Sequence, residues 1–114
     1  MPKDERILLR HMLDAACKAR DFIDGRSRGD LDSDEMLALA VIRLLEVIGE
    51  AAKNLSQDLK DRTPEIAWKQ ITGTRDRLIH GYFDVDLDII WAILTRDLPP
   101  LVSSLEKLLS QQEK

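Results

Sequence analysis

The fold is decided by residues 33–59, which read SDEMLALAVIRLLEVIGEAAKNLSQDL. Ser33, with Asp34 and Glu35 after it, is a typical helix start, because a serine hydroxyl can cap free N–H groups and acids favour the first turn. Apolar residues then recur every three or four positions, and no proline interrupts them. This pattern predicts one long helix ending near Leu59, whose core stripe consists of Leu37, Val41, Leu44, Ile48, Ala51 and Leu55.

The segment before this helix predicts a first helix and a loop. Residues 4–24 have helical periodicity, and Gly25 is expected to end the helix because glycine tolerates positive φ. Residues 26–32 are polar and contain glycine, which is typical of a loop. The predicted apolar face of the first helix consists of Leu8, Met12, Ala15, Ala19 and Phe22.

The segment after it predicts three more helices. Thr63-Pro64-Glu65 is typical of a helix start, and Gly73 is expected to end this short helix. Residues 72–81 are expected to add a helical turn or two that end at Gly81. Residues 84–86 are expected to cap a fourth helix, and Pro99-Pro100 to break the chain before a last one. No segment shows the period-2 alternation of a strand, so the predicted fold class is all-α, an up-and-down helical bundle. The inward residues of the last two helices are expected to be Leu87, Ile90, Trp91, Leu94, Leu101, Leu105 and Leu108.

Composition narrows the class of protein. The 114 residues suit a single domain over residues 1–114, and 44% are hydrophobic. The formal net charge of −4 argues against broad, sequence-blind binding of nucleic acid, although a small basic cleft for one or two phosphates is compatible with it. Cys17 is the only cysteine, which excludes an intramolecular disulfide and argues against a structural zinc site. No apolar run approaches the roughly 20 residues of a membrane span, so we expect a cytoplasmic protein. Because the sequence has no His/Cys cluster, we also expect no metal or other cofactor.

The residues with chemical potential are concentrated in GTRDRLIHGY, residues 73–82. Arg75 offers a forked cation for phosphate oxygens, and His80 offers a group that moves protons near neutral pH. Together they are the minimal equipment for cleaving a phosphodiester without a metal. If the segment is helical, Asp76 lies one turn from His80 and can orient the imidazole, whereas Arg75 and His80 lie about 140° apart. A two-fold dimer would relieve that separation by placing Arg75 of one chain near His80 of the other.

Each of these residues also has a structural interpretation. His80 can simply complement a helix C-terminus, and Arg75, Asp76 and Arg77 can form a solvated charge cluster. Tyr82 can tie down a loop through its hydroxyl. His11 is expected at the surface or its boundary, whereas Trp68 and Trp91 are expected to anchor the core or a dimer interface.

Glu46 and Glu50 lie one turn apart on the long predicted helix. Such a pair suggests a metal site, but the Glu/His companions that carboxylate-bridged metal bundles carry three residues away are missing. We therefore expect Glu46 or Glu50 to hold an arginine of the motif, Arg75 or Arg77, in place.

The motif resembles the signature of HepT toxins in the HEPN superfamily, an Arg followed after four residues by a His and after one more by a Tyr. Here these residues are Arg75, His80 and Tyr82. The flanking sequence is similar too, and the resemblance spans nearly the whole chain. Its supporting segments are Ile71-x-Gly73 before the motif, Val85-Asp86, Trp91 and Leu98-Pro99 after it, and residues 47–52 in the long helix.

The resemblance implies a bundle of four to five helices that forms a homodimer with a composite cleft. It further implies a metal-independent endoribonuclease that leaves a 2′,3′-cyclic phosphate, with Arg75 binding phosphate and His80 acting as general acid/base. Asp76 stands where the family often has Asn or another polar residue; an Asp there keeps the orienting role but adds negative charge beside a phosphate site. The implied partner is an MNT-type nucleotidyltransferase antitoxin, which silences the toxin by transferring AMP from ATP to the tyrosine at position 82.

Two other functions remain open on the sequence alone. The chain could be a catalytically weak HEPN module that serves as partner or substrate of a nucleotidyltransferase, a choice that the acidic charge favours somewhat. It could also be a plain structural helical dimer. A His80→Ala change separates the enzyme from the module, and the structural dimer predicts no effect of this change beyond stability.

Overall fold

A computed structural model describes residues 3–80 and 85–112, with backbone alone for residues 3, 75–80 and 112. These stretches contain helices and no strand, which confirms the predicted all-α fold class. In chain order the helices are α1 Lys3–Phe22, α2 Asp30–Ser33, α3 Glu35–Lys53, α4 Gln57–Arg62, α5 Trp68–His80, α6 Leu87–Ala92 and α7 Leu98–Gln112. A π-helical turn, Ile93–Asp97, joins α6 to α7.

The long helix α1 lies between α3 and α7, and α3 also packs against α5. Leu9 and Met12 of α1, Val41 of α3 and Leu105 of α7 are fully buried where these helices meet. The predicted face of α1 is partly wrong: Leu9 lies inside, Leu8 is half-buried and Phe22 is exposed. The reason is that a helix with neighbours on two sides buries a broader face than one stripe.

The predicted start and end of α3 both move. Asp34 caps the helix instead of Ser33, because its carboxylate accepts the Leu37 N–H at 3.0 Å. The helix ends at Lys53, since Ser56 starts the separate helix α4 by accepting the Leu59 N–H at 3.1 Å. The predicted core stripe is buried, except that Leu44 is only half-buried, and its last member, Leu55, lies between α3 and α4.

The segment before α3, predicted as a loop over residues 26–32, contains the short helix α2 and is held by ion pairs. Arg26 pairs with Asp34 at 2.6 Å, and Arg28 pairs with Asp88 at 2.6 Å and Asp32 at 2.9 Å. The hydrogen bond to Asp88 is the largest cause of a raised pKa for Arg28. The pKa of Asp34 is lowered, first by the Leu37 N–H and then by Arg26. Arg28 therefore connects this loop to the first turn of α6.

The chain around α6 follows one prediction and contradicts another. Asp86 caps α6 as predicted, accepting the Asp88 N–H at 2.9 Å, whereas Asp84 lies outside the described residues. The Pro99-Pro100 pair does not break the helix. Instead the Leu98 N–H donates to the Ile93 carbonyl in a π-type bond, and both prolines fall in the first turn of α7, where backbone N–H groups need no helical partner.

Within the described part of the chain, no helix is long and apolar enough to span a membrane.

Candidate functional site

The last two turns of α5 carry the backbone of Arg75, Asp76, Arg77 and His80. This confirms the helical geometry on which the predicted site depends: positions 76 and 80 lie one turn apart, and positions 75 and 80 about 140° apart. His80 is the last position at which α5 is described. The side chains of these four residues lie outside the description, as does Tyr82 entirely, so their roles stay predictions.

Gly73 does not end this helix, contrary to the prediction. It lies in the middle of α5, is exposed, and has no described atom within 4 Å of the position that a Cβ would take. The neighbouring hydroxyls of Thr72 and Thr74 donate to the carbonyls of Trp68 and Gln70, at 3.1 and 2.8 Å. A mid-helix glycine costs only about 1 kcal/mol relative to alanine, so it weakens the helix without stopping it.

The first turn of α5 is fixed by a buried hydrogen-bond chain. The Trp68 indole N–H donates to the Thr63 hydroxyl at 3.0 Å, and that hydroxyl donates to the Leu59 carbonyl at 2.8 Å. The Thr-Pro-Glu sequence predicted that Thr63 starts a helix, and this is wrong. Thr63 instead links the end of α4 to α5. Trp68 is buried, which confirms its predicted role in the core, and Trp91 is half-buried against the core. Buried hydrogen bonds thus hold the first turn of the helix that carries the motif.

Glu46 and Glu50 line a groove of 440 Å³ between α1 and α3. Glu46 pairs with Arg43 at 3.4 Å, and the Asn54 amide donates to the Glu50 carboxylate at 3.5 Å. No group of three or more His, Cys, Asp or Glu side chains placed to hold a metal occurs among the described residues. A contact from Glu46 or Glu50 to Arg75 or Arg77 remains a prediction.

His11 lines the same groove and is exposed, as predicted. Its proximity to Glu46 and Glu50 was not predicted, because helical periodicity says which face of α1 carries His11 but not which part of α3 that face meets. Asn54 was missed as well, although an amide one turn after Glu50 is a readable signal.

Known proteins resemble this chain in sequence. A family profile described as "Ribonuclease HepT-like" matches residues 12–108. The chain is 38% identical over 112 residues to a Caldanaerobacter subterraneus protein named "Putative RNase", covering 98% of this chain and 99% of the relative. It is 46% identical over 79 residues to "Probable ribonuclease HepT" of Thermococcus cleftensis, covering 69% and 72%.

A longer relative comes from Methanocaldococcus jannaschii and is named "Gamma-glutamylcyclotransferase and putative RNase". It is 34% identical over 114 residues, and the chain spans about half, 51%, of its length. No solved structure matches the chain. The family profile covers most of the chain and a relative of comparable size matches it almost end to end, so the resemblance found in the motif is confirmed: the chain belongs to the HepT-like ribonuclease family.

Proposed function

We propose that the protein is a metal-independent endoribonuclease toxin whose reaction depends on Arg75 and His80. The observation that carries the proposal is the continuous helix α5, which brings both residues into its last two turns within the region matched by the family profile. The names of the relatives support RNA as the class of substrate.

In the proposed reaction, His80 accepts the proton of a ribose 2′-hydroxyl, and the 2′-oxygen forms a bond to the adjacent phosphorus. The bond from phosphorus to the 5′-oxygen breaks as the His80 imidazolium gives its proton to that oxygen, which leaves as a hydroxyl and returns the imidazole to its neutral form. The products are a 2′,3′-cyclic phosphate and a 5′-hydroxyl end. Arg75 balances the charge that builds up on the phosphate, and Asp76 orients the imidazole from one turn away.

We further propose a homodimer with a composite cleft. Positions 75 and 80 lie about 140° apart on one helix, so one phosphate is difficult for both side chains of a single chain to reach. A second copy of α5 across a two-fold axis would supply the missing partner to each site.

Silencing is proposed to occur at Tyr82, two residues after His80 in the sequence. An MNT-type nucleotidyltransferase antitoxin would transfer AMP from ATP to the tyrosine hydroxyl and release pyrophosphate. The added phosphate would place bulk and negative charge beside His80, where a phosphate of RNA must bind. This pairing, like the nuclease itself, suits a cytoplasmic protein.

The test is cleavage of a short labelled RNA in EDTA by the wild type and by His80→Ala, with the product ends identified. His11→Ala is the matched control, because the chain has only two histidines and His11 is exposed on α1. We expect cleavage to cyclic-phosphate ends by the wild type and His11→Ala, and none by His80→Ala. No cleavage by clean, unmodified, dimeric wild type would instead favour the weak module, whose function would rest on Tyr82 and its nucleotidyltransferase. A Tyr82→Phe protein that the antitoxin still silences fully would contradict the modification.

A further inference from the structure

A second groove lies between α4 and α5 and has a volume of 580 Å³. It begins on α4, crosses the turn that follows Thr63, and continues along the first half of α5, the helix of the motif. No motif predicts it, because its two walls come from different helices. Lys60, Trp68, Lys69 and Thr72 are among the residues that line it.

The groove is positively charged on a molecule with an excess of acids. Lys60 and Lys69 line it, and none of its lining residues is Asp or Glu, although the chain has 21 acidic and 17 basic residues. Neither lysine forms an ion pair with a carboxylate within the described part of the chain, whereas Arg26, Arg28 and Arg43 each do.

The acidic side chains of α4 are engaged within that helix. Arg62 pairs with Asp58 at 3.2 Å, and the Gln57 amide donates to Asp61 at 2.9 Å. These carboxylates of α4 therefore do not neutralise Lys60 and Lys69, whose positive charges can contact an anionic ligand.

The groove is aligned with the motif through the geometry of α5. Positions 69, 76 and 80 are separated by seven and four residues, which places all three within about 40° on one face of the helix. Position 69 lies about 16 Å from position 80 along the helix axis. An RNA strand that places one phosphate at the end of α5 therefore passes the groove lysines a few nucleotides away.

We propose that this groove binds the phosphate backbone of the RNA strand beside the bond that is cut, with Lys60 and Lys69 as the phosphate contacts. The proposal rests on the proposed ribonuclease function and extends its substrate site. The binding is expected to be indifferent to base identity, since the Trp68 ring is buried and unable to stack on a base, and the Thr72 hydroxyl already donates to the Trp68 carbonyl.

The experiment uses the full chain with Lys60→Gln and Lys69→Gln combined. The control variant combines Lys18→Gln and Lys107→Gln, two exposed lysines outside the groove, so both proteins lose the same charge. Binding is measured by fluorescence anisotropy over a range of salt, with a labelled, non-cleavable 2′-O-methyl oligouridine of about 12 nucleotides as the probe. Cleavage is measured on a uridine dinucleotide, which is too short to reach the groove from the end of α5.

We expect the groove variant to bind the oligonucleotide at least about fivefold more weakly than the control at low salt. The slope of log affinity against log salt should fall in magnitude by about 1.4, the release of counterions from two phosphate contacts on a single strand. Cleavage of the dinucleotide should equal that of the control, because the groove contacts phosphates that the dinucleotide lacks.

Equal oligonucleotide binding by the groove variant and the control would overturn the proposal while leaving the ribonuclease intact. Weakened capture of a nucleotidyltransferase partner with unchanged RNA binding would also overturn it, since the groove would then bind a protein. Failure of the ribonuclease itself is a separate result: the wild type would cleave neither the dinucleotide nor a longer RNA.

Discussion

At the scale of single residues, the Thr63 hydroxyl determines how α5 is held. It is buried, accepts the Trp68 indole N–H and donates to the Leu59 carbonyl. Thr63→Val keeps the shape but leaves the buried indole N–H and the carbonyl without this partner. We expect this change to lower the free energy of unfolding by about 1–3 kcal/mol, measured by urea denaturation. Thr63→Ser keeps the hydroxyl and should lower the free energy of unfolding much less. Equal losses in the two variants would show that the methyl group matters and the hydrogen bonds do not.

Asp34 gives a prediction about pH. Its folded pKa is lowered by the Leu37 N–H and Arg26, so its ionised form stabilises the fold above the unfolded pKa, and that contribution is lost as pH falls through the lower folded pKa. Asp34→Asn keeps a capping side chain but does not titrate. In thermal melts from about pH 7 down to about pH 2, the wild type should therefore lose its advantage over Asp34→Asn below about pH 4.

Asp21→Asn controls for the change in net charge, because Asp21 is an exposed residue inside α1 and caps no helix. A constant difference between the wild type and Asp34→Asn over the whole pH range would contradict the assignment.

At the scale of helices, two glycines predict opposite effects of the same substitution. Gly73 has ordinary helical φ inside α5, whereas Gly25, after α1, has φ of 73°. Neither Cβ would meet a described atom within 4 Å, so backbone conformation alone decides the outcome. We expect Gly73→Ala to raise the free energy of unfolding by about 0.5–1 kcal/mol and Gly25→Ala to lower it by about 1–2 kcal/mol. Denaturant unfolding measures both changes. If Gly73→Ala destabilised the protein, position 73 would have to contact a neighbour that the described residues of a single chain do not include.

Local sequence signals predicted the helices better than their ends. The stripe of α3, the turn at Gly25 and the Asp86 cap follow from residues close in sequence. The break between α3 and α4 was missed because Leu55 and Leu59 continue the apolar periodicity through the cap at Ser56. Thr63 was misread because its true partner, the Trp68 indole, belongs to the tertiary structure.

In the candidate site, too, the features set by local sequence could be predicted and those set by tertiary packing could not. The motif residues could be predicted, since their types and spacing within one helix carry the chemistry. The grooves could not, because they arise where α1 meets α3 and where α4 meets α5. Periodicity gives the face of each helix but not its neighbour, so His11, Lys60 and Lys69 lack a local signal.

At the scale of the whole molecule, the position of α5 bears on how two chains would combine. In the described part of the chain α5 packs mainly against α3, while α1 has α3 on one side and α7 on the other. Among the described residues α3 is therefore the main neighbour of α5, and we expect a second copy of the chain to approach the motif helix from a side that α3 does not cover. The composite cleft can be tested without knowing the dimer interface, by combining two inactive variants in one dimer.

The test mixes two inactive proteins, Arg75→Ala and His80→Ala, by unfolding and refolding them together. If each site takes its arginine from one chain and its histidine from the other, a mixed dimer contains one intact site and one doubly defective site. Half of the dimers are mixed, so RNA cleavage should return to about a quarter of the wild-type rate. Refolding Arg75→Ala with the double variant Arg75→Ala/His80→Ala is the control and should restore none, because no arginine is present. If each site instead lies within one chain, the first mixture also stays inactive, and α5 must bend its own Arg75 and His80 toward a single phosphate.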